Sequence, residues 1–387
     1  MNIVYLSGSG IPSRLASGIQ VMRMCEAFSL NGHSTTLISR HFEAYPMRDI
    51  HSFYGVQKNF GIISIPCKKI KGINLLTLPD LYTRLRQFDP REVLIYARDI
   101  YGVSLAARMG FKVIYEAHTP PYNQLIAHLE STLLRHPRFI RLVVITEALR
   151  RRYNSRLAVQ EKIIVCHDAA ALSVESWNGN LPWPKCRNTL QVGYTGHLYP
   201  GKGVEIVIEC AKRLPHYDFH IIGGMERDIK HWLTRAPDNI RFHGFFEPFM
   251  MRAVLSRCDV LLLPCQRQVI VPHSRIDISD WMSPLKLFEY MASRKVIIAS
   301  NLPVLREVLD ERMAVLVAPD KAEGWVEAIR QCENLPFREA LAQNAFSVLQ
   351  KHYTWDKRAE KVLHGLISSA TGNYFCYGRP GKRGVVC

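Results

Sequence analysis

The sequence predicts an α/β protein made of two doubly wound domains in tandem. Three observations lead to this fold class. The chain has 387 residues, which exceeds the usual size of a single hydrophobic core. Short apolar strands alternate with helical segments in two separate series, as they do in parallel sheets. Between Ala171 and Asn188 the alternation stops in a stretch rich in Pro, Gly and Asn, which is typical of a linker.

The first series opens with an apolar strand and continues with regular alternation, apart from a less regular stretch over residues 41–90. Its predicted strands are Asn2–Leu6, Thr35–Ser39, Val93–Ala97, Lys112–Glu116, Leu142–Thr146 and Lys162–Cys166. Its predicted helices run from Ile19 to a C-cap at Asn31-Gly32, from Ile100 to Gly110, and over Glu147–Tyr153. We therefore expect a first domain over residues 1–170 and a linker over 171–188.

The second series has the same alternation. Its predicted strands are Leu190–Tyr194, Phe219–Ile222, Ile240–His243, Val260–Leu263, Val296–Ala299 and Ala314–Val317. Its predicted helices cover Val204–Leu214 and begin near Ser283, Lys321, Phe337 and Trp355. We expect a second domain over 189–352, a helix within 353–370 that packs back on the first domain, and a mobile basic tail over 371–387.

Composition and charge narrow the choice of partners. The formal net charge is +16, which indicates a polyanionic partner: an acidic lipid surface, nucleic acid or a phosphorylated substrate. We expect no nucleic-acid partner, because the chain has no aromatic-rich recognition motif. Ten cysteines without a CxxC pair, and no secretory signal, predict reduced thiols in the cytoplasm. The sequence has no run of 18 apolar residues, so we expect no membrane span.

The helix start at Ser283 is a candidate anion site. Ser283 is a suitable N-cap, and Pro284 suits the first helical position because its missing N–H costs nothing there. The N–H groups of Leu285, Lys286 and Leu287 would then lack partners within the helix. They would point outward at its positive end, where a phosphate binds readily, and the Lys286 side chain would add a full charge.

Glu289 lies one turn further along the same helical face. Its carboxylate could accept hydrogen bonds from two ribose hydroxyls behind the phosphates. The alternative is an amphipathic helix that packs on a parallel sheet and leaves Glu289 solvated. The residues alone leave both interpretations open.

The turn Gly196–Gly203 is a second candidate phosphate site. It has three glycines and Lys202 between a strand and a helix, where backbone N–H groups can surround a phosphate. It is not a Walker motif, because the spacing differs and no Ser or Thr follows Lys202. An ordinary Gly-rich turn with a solvated lysine remains the alternative.

The loop after the first strand contains Gly8 and Gly10, and it runs on to Gly18. Such a loop can bring backbone close to a ligand. The dinucleotide-binding fingerprint is absent, because Ser13 occupies its third glycine position.

His118 follows a predicted strand and precedes two prolines that fix its loop. It is either a structural or a catalytic histidine. Its spacing to His128 and His136 does not suit one metal ion, so we expect no metal site.

In doubly wound sheets, ligands bind beyond the carboxyl ends of the strands. We therefore expect the loops at these ends to converge on a cleft between the domains, together with the helix start at Ser283. The loops in question follow Leu6, Glu116, Tyr194, Ile222 and Leu263.

A basic run extends from Arg135 to Arg156, interleaved with Leu, Phe and Tyr. It could press on an anionic membrane or bind a phosphorylated acceptor. It could also be a solvated charged face.

Taken together, these residues resemble the retaining glycosyltransferases of family 4, also known as glycosyl transferases group 1, whose GT-B fold has two Rossmann-like domains. The resemblance extends from residue 1 to about residue 365. Its most specific part is SPLKLFEYMA followed by KVIIAS and NLPVLREVL, and GHLYPGKG and EAH support it. It implies a donor that is a nucleotide-diphosphate sugar, held mainly by the second domain, and no cofactor or metal.

The resemblance also implies roles for individual residues. Glu289 would bind the ribose, the N–H groups of Leu285 and Lys286 the diphosphate, and Lys202 a phosphate. His118 would lie near the transferred sugar. The remaining donor contacts would come from Gly8, Gly10, Gly18, Gly196, His197, Gly223, Gly244, Phe245, Ser283 and Pro284.

Two positions depart from the family pattern. Trp281 replaces the first glutamate of the signature pair, and His197 replaces the arginine that usually follows the loop glycine. The first of these leaves the donor sugar open.

The function implied is transfer of a sugar, with retention, to a glycan or lipid-linked acceptor in surface polysaccharide or glycolipid synthesis, at the inner face of the membrane. A nucleotide-sugar epimerase and a non-catalytic sugar-nucleotide-binding partner remain alternatives.

Overall fold

A computed structural model describes residues 1–42, 49–68, 73–154, 160–172, 180–184, 188–272 and 275–366. Most of the predicted linker and the whole predicted tail over 371–387 lie outside these residues. The division into domains at the predicted boundaries therefore stays a prediction. Among the described residues, no helix combines the length and apolar character needed to cross a bilayer.

The first sheet has seven parallel strands in the order β3-β2-β1-β4-β5-β6-β7. The strands are β1 (Asn2–Gly10), β2 (Ser34–Phe42), β3 (Gly61–Cys67), β4 (Val93–Ala97), β5 (Lys112–Ala117), β6 (Phe139–Val144) and β7 (Ile163–Val165). Within the described residues, seven α-helices connect these strands: α1 (Ala16–Leu30), α2 (Ile50–Tyr54), α3 (Ile73–Leu76), α4 (Leu78–Leu85), α5 (Ile100–Arg108), α6 (Gln124–Leu134) and α7 (Glu147–Asn154). The strand order reverses between β1 and β4, so a crevice is expected there.

The second sheet has six parallel strands in the order β10-β9-β8-β11-β12-β13. The strands are β8 (Gln191–Thr195), β9 (Asp218–Ile222), β10 (Ile240–Gly244), β11 (Val260–Leu263), β12 (Val296–Ser300) and β13 (Ala314–Val317). The helices are α8 (Val204–Arg213), α9 (Glu226–Leu233), α10 (Met251–Ser256), α11 (Leu285–Ala292), α12 (Ala322–Gln331), α13 (Leu335–His352) and α14 (Trp355–Leu363). Here the order reverses between β8 and β11, and the two-domain doubly wound fold is confirmed.

Each sheet is covered by helices on both faces, which explains why its central strands are apolar throughout. All five residues of β4 are buried, and so are all four of β11. The last described helix, α14, packs against α1 of the first domain. Trp355 and Val362 of α14 lie in the same apolar cluster as Phe28 of α1.

Two local predictions were wrong. The first strand does not end at Leu6 but continues through a bulge to Gly10, which pairs with Arg40 of β2. A Cβ atom on Gly10 would lie 2.0 Å from the Phe42 ring, so close packing between these strands requires glycine here. The helix expected to be capped by Ser283 begins at Leu285 instead.

Candidate functional site

A cavity of about 230 Å³ lies between the two sheets, beyond the carboxyl ends of their strands. We call it the cleft cavity. The first domain contributes Arg14, Ala16 and Ile19 to its wall. The second contributes most of the predicted donor site: Gly196, His197, Lys202, Gly223, Phe245, Pro284, Leu285, Lys286 and Glu289. Residues up to 275 positions apart in the sequence (Arg14 and Glu289) therefore line one hollow.

The start of α11 forms part of the cavity wall, although its cap differs from the prediction. Pro284 is the N-cap residue and makes no side-chain cap bond. Ser283 Oγ instead accepts a hydrogen bond of 3.0 Å from the backbone N–H of Asp168. The prediction that the Leu287 N–H is free for an anion is wrong, because Leu287 N donates to Pro284 O at 2.9 Å. Helix geometry leaves the N–H groups of Leu285 and Lys286 for a ligand.

The glycine turn before α8 brings Lys202 to the cavity. Gly203 has φ 79°, and a Cβ atom there would lie 1.9 Å from Pro264 O. Only glycine fits, because both the backbone angle and the close approach to the loop after β11 exclude a side chain. The ammonium of Lys202 lies 5.1 Å from the centre of the Tyr199 ring.

Lys286 is held beneath this turn rather than free in the cavity. Its Nζ donates a hydrogen bond of 3.0 Å to Thr195 O and lies 4.1 Å from the centre of the Tyr194 ring. Burial lowers the pKa of Lys286 to about 8, and nearby Lys202 acts in the same direction. Lys286 therefore contributes a positive charge near neutral pH, but one hydrogen-bond direction is already used.

Glu289 is the acidic residue of the cavity wall. Burial raises its pKa to about 7, opposed by Arg23 and Lys286 and assisted by Asp168. Within the described part of the chain, its carboxylate has no hydrogen-bond partner. A half-buried carboxylate without a partner is costly and is suited to hydroxyl groups of a ligand.

The remaining wall is formed by the ends of β9 and β10. Gly223 N donates to Gly244 O at 2.6 Å, and Gly196 N donates to Ile222 O at 2.9 Å. The three strand ends are thus bonded side by side, with Phe245 next to them at the cavity. Gly244 itself does not line the cavity. Burial, with Lys202 and Lys286, lowers the pKa of His197 below its ordinary value, so this imidazole is neutral at neutral pH.

His118 lies in a different hollow, of about 170 Å³, lined by the first domain alone. Its Nε2 is 2.6 Å from Glu116 Oε1, and burial lowers the pKa of His118 to about 4. Glu116 also accepts hydrogen bonds from Gln20 Nε2 at 2.7 Å and from Tyr96 OH. His118 therefore does not line the cleft cavity, to which Lys202 and Glu289 belong.

The glycines of the first domain do not line the cleft cavity either. Gly8 lies in β1, and a Cβ atom there would be 3.2 Å from Asp99, which lines the His118 hollow. Gly10 packs on Phe42, and Gly18 lies in α1 against Tyr54. Their predicted donor contacts stay predictions.

Several arginines of the basic run are paired with other parts of the chain. Arg152 bonds to Asp280 at 3.1 Å, and Arg151 lies 3.8 Å from Glu307, both in the second domain. Arg141 donates to the backbone oxygens of Val362 and His364. Arg151 and Arg152 nevertheless stay largely exposed, so the membrane or acceptor face stays a prediction. Arg156 lies outside the described residues.

Sequence reasoning missed Arg14, Met225 and Phe246, which also line the cleft cavity. Each lies in a loop at a strand end, a position that could have suggested them. Within the described residues, no group of three His, Cys, Asp or Glu is arranged to hold a metal ion.

The chain is similar in fold to solved structures, and its second domain matches a family model. The model of the family Glycosyl transferases group 1 matches residues 189–334, and no curated protein matches the sequence. The structure of HepE from Anabaena in complex with UDP and glucose is 14% identical, with a TM-score of 0.68 over 95% of this chain and 99% of that chain. Sucrose-phosphate synthase from Thermosynechococcus elongatus is 17% identical, with a TM-score of 0.68 over 93% and 97%.

The lipopolysaccharide outer core galactosyltransferase WaaB is 11% identical, with a TM-score of 0.62 over 95% of this chain and 100% of that chain. The GT-B fold of glycosyltransferases thus extends over nearly the whole chain. The family match over residues 189–334 confirms the expected resemblance of this part of the chain to glycosyl transferases group 1.

Proposed function

We propose that the protein transfers a sugar from a nucleotide-diphosphate sugar to an acceptor hydroxyl, with retention of the anomeric configuration. The observation that supports this most is that Lys202, the first N–H groups of α11 and Glu289 line one cavity. A nucleoside diphosphate has an anion and a pair of ribose hydroxyls a few bonds apart. The cavity offers a partner for each.

In the proposed donor complex, the N–H groups of Leu285 and Lys286 bind the diphosphate at the positive end of α11. Lys202 binds it from the glycine turn. Glu289 accepts hydrogen bonds from the ribose hydroxyls. Following the resemblance, Gly223 and Phe245 would lie toward the nucleoside. Gly244, which does not line the cavity, would support Gly223 through the bond to its N–H.

In the proposed reaction, the bond between the anomeric carbon and the phosphate oxygen breaks on the face where the acceptor oxygen bonds. The acceptor proton passes to the departing phosphate oxygen, so the products are a glycoside and a nucleoside diphosphate. Lys202 and the helix N-terminus stabilise the charge that grows on the leaving group. We propose a metal-independent reaction because these groups supply the positive charge.

His118 would approach the reacting centre from the first domain. Because its pKa is lowered to about 4, it acts as a neutral hydrogen-bonding group near pH 7 and not as a cation. Glu116 fixes its orientation through the bond of 2.6 Å.

The acceptor class is proposed from the comparisons and the charge. HepE is described with UDP and glucose, and WaaB as a lipopolysaccharide galactosyltransferase. We propose a glycan or lipid-linked acceptor in surface polysaccharide or glycolipid synthesis, used at the cytoplasmic face of an anionic membrane. The net charge of +16 supports the membrane contact.

The test is to titrate the purified protein with UDP, GDP and ADP by calorimetry, and then to supply sugars on the diphosphate that binds. We expect one diphosphate to bind and its sugar nucleotide to be hydrolysed slowly or transferred. Binding of none of the three would contradict the proposal. A donor that is epimerised without an acceptor, as seen by NMR of the product, would indicate an epimerase instead.

A further inference from the structure

A cation from the first domain faces the donor site across the cleft. Arg14 follows β1 and lines the cleft cavity together with Lys202 of the second domain. Its guanidinium lies 4.6 Å from the centre of the Phe245 ring, also of the second domain. Within the described residues, no carboxylate forms an ion pair with Arg14. This side chain therefore brings an uncompensated charge to the cavity.

The segment that carries Arg14 is fixed by its neighbours. Ser13 N donates to Tyr54 OH at 2.7 Å, and that hydroxyl is 3.1 Å from Ser13 O. Ile11 N donates to Arg40 O at 2.9 Å. Tyr54 is fully buried, so the backbone immediately before Arg14 is anchored on the first domain. A charge on an anchored segment costs less entropy to position than one on a free loop.

The second domain offers limited charge for a diphosphate. Lys202 is available, whereas Lys286 already donates to Thr195 O. His197 is neutral at neutral pH because burial and the two lysines lower its pKa. A diphosphate carries at least two negative charges, and each gains from a separate charged hydrogen bond.

We propose that Arg14 binds the diphosphate of the donor from the first domain and supplies the positive charge that His197 does not. The inference rests on the proposed function. Guanidinium geometry matches two phosphate oxygens at once, which a lysine cannot do. Because Arg14 and Lys202 belong to different domains, the diphosphate would be fully bound only when the cleft is closed.

The test compares Arg14→Gln with Arg91→Gln in the full-length protein. Arg91 is an exposed arginine bonded to Asp89 at the opposite end of the first sheet, before β4 begins. Calorimetry is done with UDP and UMP, and in parallel with GDP and GMP and with ADP and AMP. A hydrogen bond to a charged group is worth about 1.5–3 kcal/mol, so Arg14→Gln should weaken diphosphate binding by roughly ten- to a hundredfold.

The monophosphate should lose less affinity than the diphosphate, and Arg91→Gln should leave both unchanged. Adding His197→Arg to Arg14→Gln should recover part of the diphosphate affinity and of kcat, because it restores a cation to the cavity. This rescue would not be expected if Arg14 only stabilised the fold.

Unchanged diphosphate affinity in Arg14→Gln would overturn the inference while leaving the proposed function intact. Equal losses for diphosphate and monophosphate would also overturn it, because they would assign Arg14 to the nucleoside or to Phe245. If the wild-type protein binds none of the three diphosphates, the proposed function fails and the inference fails with it.

Discussion

Arg358, in the last described helix, donates two hydrogen bonds to the buried carboxylate of Glu116, at 2.9 and 3.2 Å. The two residues are 242 positions apart in the sequence. Although burial opposes ionisation, Arg358 and His118 hold the pKa of Glu116 at about 2. The helix that ends the fold is thus tied to the strand end that positions His118.

Arg358→Met should strongly destabilise the protein. Removing one partner leaves the charge of Glu116 buried and uncompensated, which typically costs about 3–5 kcal/mol. Urea unfolding measures the change, with Lys357→Met on the exposed face of α14 as the control. Equal stability of the two variants would show that the pair contributes nothing. Adding Glu116→Gln to Arg358→Met should recover part of the loss.

Lys202→Ala should lower kcat by about a hundredfold, because it removes a charge that acts on the leaving diphosphate. Lys212→Ala is the matched control, since this lysine points away on α8 and bonds to Glu209 at 2.8 Å. The measurement is steady-state turnover of the sugar nucleotide that the wild type uses. Wild-type kcat/KM in a folded Lys202→Ala protein would exclude the proposed role.

Glu289 should make nucleotide affinity depend on pH. Its pKa is raised to about 7, so the free protein carries the ionised carboxylate only above that pH. The ionised form accepts both ribose hydroxyls, so affinity should rise between about pH 6 and pH 8. Arg23, Lys286 and Asp168 also influence the pKa of Glu289. The terminal phosphate of the nucleotide has its own pKa close to this pH range.

Calorimetry at several pH values should therefore compare the wild type with Glu289→Gln. The glutamine variant should bind the nucleotide more weakly than the wild type at pH 8. Its affinity should also lack the part of the pH dependence that the Glu289 carboxylate causes. Glu327→Gln, on the exposed side of α12, should follow the wild-type curve. Parallel curves for Glu289→Gln and the wild type would reject the ribose contact.

Glu307 should stabilise the closed arrangement of the domains. Its carboxylate, in the second domain, accepts hydrogen bonds of 2.7 and 2.8 Å from Glu147 N and Ala148 N at the start of α7. Glu307→Gln retains only one acceptor oxygen and so weakens this contact between the domains. The closed arrangement should then be less stable, and the radius of gyration measured by X-ray scattering should increase. Glu311→Gln, whose carboxylate bonds only locally to Arg306, should scatter like the wild type. If both variants match the wild type, this contact does not hold the cleft closed.

Much of the fold was predictable because its central strands are fully buried and several helices end at recognisable caps. The sequence predicts β4 and β11 well, since each is a continuous apolar run. β3 is harder to recognise, because it is a half-exposed edge strand with a weak pattern. The strand identity of residues 7–10 depends on pairing with β2, which no local pattern reports.

The site was predictable where local backbone chemistry determines it, as in the turn of Lys202 and the helix start at Leu285. It was not predictable where distant segments meet. Arg14 is a single arginine in a loop, and only the fold brings it to the cavity of Lys202. The partner of Arg152 in the basic run could not be predicted for the same reason, since Asp280 lies 128 positions away.

The central claim is that a diphosphate binds between Lys202 and the N-terminus of α11. A crystal structure with the nucleoside diphosphate that binds tests this most directly. We expect phosphate oxygens at about 3 Å from Lys202 Nζ and from Leu285 N, with the ribose hydroxyls at Glu289. A nucleotide bound outside the cleft cavity, or one whose phosphates contact neither group, would contradict the account.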